Sequence, residues 1–172
     1  MKKILLLVSL FFVWSSSQAT NANSVNKLYK KTINNILDNN QCATQELYLN
    51  IPRNASDEDE DEQRYSTQFT SNVFVNIFEK NNKVLSIDIS ITPIPNSLNE
   101  QLPAFCVISS IQAAIDPSRT QNEYMKLDSK LYKSALEKGS YDYTSKNYSH
   151  SAFTSTGSVL IYRVELKDSE GS

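Results

Sequence analysis

The sequence predicts a single α+β domain in which an antiparallel sheet of about five strands has three helices packed on it. Three observations lead there. Residues 67–91 alternate apolar and polar side chains on both sides of a short polar turn, the pattern of a β-hairpin. Three other stretches repeat apolar residues every three or four positions, the pattern of amphipathic helices. Neighbouring strands are joined by tight turns, which makes the sheet antiparallel and gathers the helices on one face.

The elements follow in order. Residues 21–40 form the first helix, with Ser24 as N-cap and Val25, Leu28, Tyr29, Ile33, Ile36 and Leu37 at helical spacing. Asp38-Asn39-Asn40 ends it, and a short strand at 46–51 stops at Pro52. In the hairpin, Phe69, Val73, Val75 and Ile77 share one parity, and Leu85, Ile87, Ile89 and Ile91 share another. Ser86, Asp88 and Ser90 give the second strand one wet face. Lys80-Asn81-Asn82-Lys83 supplies turn residues that tolerate positive φ. Pro93 and Pro95 then interrupt the sheet.

Leu102, Phe105, Ile108, Ile111 and Ile115 mark a second helix that ends before Pro117. Thr120-Gln121-Asn122-Glu123 has capping-box spacing. Tyr124, Leu127, Leu131 and Ala135 carry the third helix to Gly139, a residue suited to a C-terminal cap. Two closing strands, 141–153 and 158–166, flank a polar turn at Gly157. The expected order is α-β-β-β-α-α-β-β, and residues 167–172 read as a frayed tail.

The N-terminus indicates the compartment. Lys2 and Lys3 precede an apolar stretch at 4–14, and Ser17 and Ala19 place small residues where a signal peptidase reads. Residues 1–19 are therefore expected to be a signal peptide, too short for a membrane anchor. Of 172 residues, cleavage after Ala19 leaves 153, enough for one domain with its own core at 20–166. The mature chain is expected to be exported, periplasmic or secreted, with no membrane span. In such an oxidising compartment Cys42 and Cys106 read as a disulfide. Closing a loop of that length stabilises a fold by about 4 kcal/mol in the chain-entropy picture.

The charge is concentrated in one place. The chain has 17 basic and 19 acidic residues, and removing Lys2 and Lys3 leaves a formal charge of −4. Such a balance gives no global attraction for nucleic acid or anionic lipid. Asp57, Glu58, Asp59, Glu60, Asp61 and Glu62 are consecutive within the polar loop 54–64, and without these six acids the rest would be slightly basic, at +2. Asp57, Asp59 and Asp61 alternate like the first ligands of a calcium loop. The sixth and twelfth positions should then be glycine and a bidentate glutamate, and they hold Glu62 and Gln68. No metal site is expected. Two readings remain: a solvated connection extended by self-repulsion, or a docking surface for a cationic partner. In the second case steering would weaken with salt, since exposed charges are screened over about 8–10 Å.

Enzymatic chemistry finds little support. Gly139, Gly157 and Gly171 are the only glycines and cannot build a phosphate-cradling loop or dinucleotide fingerprint, so no cofactor is expected. His150 is the only histidine; among Tyr148, Ser149 and Ser151 it reads as a surface or edge-strand residue. A serine or cysteine hydrolase then lacks its base, and a zinc site lacks ligands. A pair of catalytic carboxylates would leave little trace in sequence. In "YDYTSKNYSHSAF", Tyr141, Tyr143 and Tyr148 suit a contact surface, while the alternation of Tyr141 and Tyr143 equally suits packing over a sheet.

The expected function is that of a non-enzymatic exported module that binds another protein with a basic face. Residues 57–62 and the three tyrosines are the candidate contacts, and an inhibitor or immunity-type protein acting on a toxin or hydrolase is the most concrete form. No catalytic, cofactor-binding or metal-binding residue is expected. Two alternatives have distinct signatures. A small envelope hydrolase would hold two carboxyls in a pocket, one with a raised pKa. A cell-envelope structural or assembly factor would present a long uncovered strand edge.

Overall fold

The computed structural model describes residues 24–56 and 61–167. The elements are α1 (Ser24–Asp38), β1 (Arg53–Asn54), β2 (Gln63–Thr70), β3 (Val73–Lys80), β4 (Lys83–Ile91), α2 (Leu98–Ile115), α3 (Gln121–Lys138), β5 (Ser140–Thr144), β6 (Tyr148–Ser155) and β7 (Val159–Leu166). All the strands form one antiparallel sheet in the order β1-β2-β3-β4-β7-β6-β5. The chain leaves β4, crosses the sheet through α2 and α3, and returns as a meander that ends beside β4. The expected α+β class with three helices stands, and the sheet has seven strands rather than about five.

The two extra strands come from turns that contain no glycine. Ser71-Asn72 reverses the chain between β2 and β3, and the Thr70 hydroxyl bonds Asn72 Oδ1 at 2.6 Å. Phe69 and Val73 thus lie on neighbouring strands rather than on one. Residues 145–147 divide the expected strand 141–153 in the same way, with the Ser145 N–H bonding the Tyr148 carbonyl at 2.8 Å. Conversely, 46–51 is not a strand. That segment runs along β2 through isolated bonds, such as Tyr48 N–H to the Phe69 carbonyl at 2.7 Å, and pairs regularly only at Arg53 and Asn54. The expected turn at Lys80–Lys83 is present, with Asn81 and Asn82 at φ 53° and 60°.

The helix ends follow from local chemistry. Ser97 and Glu100 form a reciprocal capping box that starts α2 four residues before Leu102, despite Pro103 inside the helix. Asp116 ends α2 in extended backbone just before Pro117. Thr120 and Glu123 form the expected capping box of α3, and Gly139 closes it at φ 86°, a left-handed value that favours glycine. The Ser24 hydroxyl bonds the Glu79 carboxylate of β3, tying the start of α1 to the hairpin. Lys167, assigned to the tail, is held by its N–H to the Asn147 carbonyl at 2.9 Å. The expected signal peptide and residues 168–172 lie outside the described residues.

The sheet has two unlike faces. Val73, Val75 and Ile77 of β3, Ile87, Ile89 and Ile91 of β4, and Leu160, Tyr162 and Val164 of β7 point into a core completed by Val107, Ile108 and Ile111 of α2. Burial of each large aliphatic side chain contributes about 1.5–3 kcal/mol. The Cys42–Cys106 disulfide, spanning a separation of 64 residues, pins the end of α1 to the middle of α2. On the other face one row crosses every strand: Arg53, Ser66, Asn76, Asp88, Arg163, Ser151 and Asp142. Arg163 grips Asp88 with two bonds of 2.7 and 2.6 Å. Among the described residues, no helix is long and apolar enough to cross a membrane.

Candidate functional site

Two groups of polar side chains stand out, one buried and one exposed. The buried group assembles where α2 ends over β5, β6 and β7. Pro117 stops α2, and the Asp116 carboxylate then accepts the Ser118 N–H at 3.1 Å, which aims it inward. Gln112 comes from the last turn of α2, Tyr124 and Asp128 from α3, Tyr143 from β5, His150 from β6 and Tyr162 from β7. Tyr124, Asp128, His150, Tyr162, Gln112 and Asp116 are all buried.

His150 is therefore neither at the surface nor on an edge strand, because β6 lies between β5 and β7 and the His150–Ala152 parity faces the helices. The Gln112 amide donates to the Tyr162 hydroxyl. That leaves the Tyr162 proton for His150 Nδ1 at 3.4 Å and makes Nδ1 the acceptor. Nε2 then carries the imidazole proton and faces Asp116 Oδ2 at 3.5 Å, without the alignment of a hydrogen bond. Tyr143 stacks on the imidazole with ring centres 4.4 Å apart and planes within 5°. The exposed Arg119 guanidinium covers Tyr143 at 5.4 Å and Tyr124 at 5.9 Å.

Burial sets the ionisation of this group. It pushes the His150 pKa down to about 4 against the opposing pull of Asp116, so the imidazole is neutral at pH 7. Burial acts to raise Asp116, but hydrogen bonds from Ser145, Ser118 and Tyr124 outweigh it and hold the carboxyl below its ordinary value. Asp128 is driven well above its ordinary value by burial, with only a weak counter-pull from Gln112. Neither Asp128 oxygen has an aligned partner, and the Gln112 carbonyl oxygen is equally orphaned. A protonated Asp128 supplies the kind of donor that oxygen lacks. Burial also raises the Tyr124 pKa to about 12 and moves Tyr143 and Tyr162 upward.

A tyrosine, an imidazole and a carboxylate in sequence have the composition of an acid–base relay. The His150 side chain, however, is 0% exposed, so no substrate atom touches it in this conformation. What the arrangement does here is tie the α2–α3 corner to the β5–β7 half of the sheet.

The exposed group lies at the opposite margin. Asp57 to Glu60 fall outside the described residues, while Asp61 and Glu62 lead into β2 in solvent. Asp61, with its side chain 93% exposed, approaches Lys80 at 3.6 Å. The base of this connection is closed by the Ala55 N–H on the Arg64 carbonyl at 2.7 Å and by Arg64 Nη2 on the Ala55 carbonyl at 2.9 Å. Further along β2, at the end away from Glu62, Tyr48, Leu49, Ile51 and Phe74 present apolar surface, with Ile51 69% exposed. A cleft of about 540 Å³ runs over Ile51, Arg53, Gln68 and Phe74.

The three tyrosines do not join this margin. Tyr141 and Tyr143 are on β5, at the far edge of the sheet from β1. Six strand spacings of about 4.8 Å separate those edges, roughly 29 Å. Tyr141 is 38% exposed, whereas Tyr143 is half-buried against His150. Tyr148 is half-buried and packs on the core. The acidic run and the tyrosines are thus separate features. Among the described residues, no three His, Cys, Asp or Glu side chains are grouped to hold a metal ion.

Sequence reasoning did not find the buried group because its members come from five elements. The one signal available was parity: His150 and Ala152 alternate with serines at 149 and 151, as inward residues of a central strand do. Comparison with protein-family models, curated proteins and solved structures returned no match.

Proposed function

We propose that this protein is an exported, non-enzymatic binding module that receives a partner with a basic surface at its β1–β2 margin, as an inhibitor or immunity-type protein does with a toxin or hydrolase. The observation that supports it is an exposed apolar cluster, Tyr48, Leu49, Ile51 and Phe74, on the same margin of the sheet as Asp61 and Glu62, six residues or roughly 20 Å along β2 from Glu62. An apolar centre beside a charged rim is the usual anatomy of an interface, the centre supplying affinity and the rim orientation and association rate. The burial of the only histidine favours binding over catalysis. The sheet also ends in short strands of two and five residues, β1 and β5, which favours recognition by side chains over strand addition.

The test is affinity capture from an envelope extract with three baits: the wild type, a variant with residues 57–62 changed to Asn and Gln, and Ile51→Asp. A basic protein retained by the wild type is expected to associate about tenfold more slowly with the neutralised variant at low salt. With Ile51→Asp it is expected to bind at least tenfold more weakly. A partner that binds all three baits equally would contradict this assignment.

One observation favours the hydrolase alternative: Asp116 is held low and Asp128 pushed high within one cluster, the pattern of a carboxyl pair with divided roles. Activity that rises and falls with these two carboxyls, and is lost in both Asp116→Asn and Asp128→Asn without loss of folding, would establish that alternative instead.

A further inference from the structure

A second recess opens at the start of α1 and takes its character from different residues. It is a groove of about 290 Å³ between α1, the β3–β4 turn, the end of α2 and the last residue of β7. Its floor is apolar, with Leu28, Val84, Ile115 and Leu166 among its lining. Its rim is basic: Lys27 and Lys31 stand one helical turn apart on α1, and Lys83 opens β4. No carboxylate among the described residues lines it. Among the described residues, none of these three lysines forms an ion pair.

The start of α1, which carries the positive end of the helix dipole, is already faced by the buried Glu79 carboxylate through the Ser24 hydroxyl, so the positive character rests on the three lysines. Asp61, on the neighbouring connection, is paired with Lys80 rather than with the groove lysines. Three ammonium groups around one mouth repel each other, and an anion there relieves that repulsion. A bare anion would leave the apolar floor wet; an amphiphile covers both. The volume lies just below the usual range for ligand pockets, about 300–1,000 Å³, which suits a short chain.

We infer that this groove binds an anionic amphiphile of the fatty-acid type, with its carboxylate among Lys27, Lys31 and Lys83 and its short chain on Leu28, Val84, Ile115 and Leu166. The site is local, and the acidic balance of the whole chain does not oppose it beyond the screening distance of about 8–10 Å. It does not depend on the assignment of the β1–β2 margin, since its residues are different ones.

The experiment is an NMR titration of the exported protein with decanoate, kept below the concentration at which it forms micelles. Acetate and decyltrimethylammonium serve as comparison probes. Saturable shifts confined to residues around Leu28, Val84, Ile115 and Leu166 are expected with decanoate, and neither comparison probe should reproduce them. A Lys27→Gln, Lys31→Gln, Lys83→Gln variant is expected to bind decanoate at least tenfold more weakly while melting at the wild-type temperature. Scattered or non-saturable shifts would overturn the inference, as would equal binding of the cationic amphiphile or an unaffected triple variant. So would decanoate binding that appears only when residues 57–62 are neutralised, because the chain's own acidic run would then be the occupant.

Discussion

The acidic run at 57–62 and the His150 cluster both gather ionisable side chains, yet their surroundings give them opposite roles. Asp61 stands almost wholly in water, and its approach to Lys80 is an exposed ion pair of the kind that contributes little to stability. His150, Asp128 and Tyr162 lie in the interior, where the same kinds of group are moved far from their ordinary ionisation and every unmade hydrogen bond is costly. Charge in the first region stands in water and, on the proposed function, acts at a distance on a partner. Charge in the second acts on the fold, and burial suppresses much of it.

The largest effect separating the two regions is the pH dependence of stability. The His150 pKa falls from an ordinary 6.5 to about 4. A lowered folded-state value means that the unfolded chain binds more protons between those limits. The stability His150 contributes is therefore fully present above pH 6.5 and is lost as pH falls towards 4, to the extent of ~3 kcal/mol at 1.36 kcal/mol per unit. Denaturant midpoints from pH 7 to 4 measure it, and His150→Phe should remove that part of the slope.

Asp128 runs the other way. Its folded-state pKa is raised, so the stability it contributes is present below the ordinary carboxylate range and is lost as pH rises through the folded value. Asp128→Asn is accordingly expected to stabilise at neutral pH, by about 1 kcal/mol or ~2–4 °C in melting temperature, and to change little near pH 4. A destabilised variant at pH 7 would mean that the carboxyl is ionised and paired, and the contrast between the regions would narrow.

Arg119 marks the border of the buried cluster. Arg119→Ala uncovers the Tyr143 and Tyr124 rings and should cost about 0.5–1 kcal/mol by chemical denaturation. The smallest effect belongs to the acidic run. Neutralising residues 57–62 should move stability by less than about 0.5 kcal/mol, whatever it does to a partner.

The same contrast explains what was legible in the sequence. Features fixed by neighbours along the chain could be read: the Asn81-Asn82 turn, the Thr120–Glu123 capping box, Gly139 at the end of α3 and the inward parity of Ile87, Ile89 and Ile91. The disulfide was legible because the chain has two cysteines, each with one possible partner. Turns without glycine, at Ser71-Asn72 and 145–147, were not, and strand β2 was hidden because Gln63, Arg64, Ser66 and Gln68 give it almost no apolar alternation. Pro103 masked the true start of α2 at its Ser97 cap. The His150 cluster was invisible because its geometry exists only once α2, α3 and the β5–β7 meander have met. The exposed margin was half legible: the charge run was plain, but the apolar residues Ile51 and Phe74 are brought together with Gln68 on the same margin only by the fold.

With one histidine in the chain, its imidazole gives a single, unambiguous NMR signal. Titrating that signal tests most directly the claim that the ionisable interior serves the fold and leaves recognition to the exposed run. A neutral ring protonated at Nε2, with a midpoint near pH 4 and unchanged when the acidic run is neutralised, is the expected result. A midpoint at or above the ordinary 6.5 that persists in Asp116→Asn would place His150 in contact with solvent. It would make the Tyr162–His150–Asp116 sequence a reachable acid–base site and contradict the assignment of this protein as a non-enzymatic binding module.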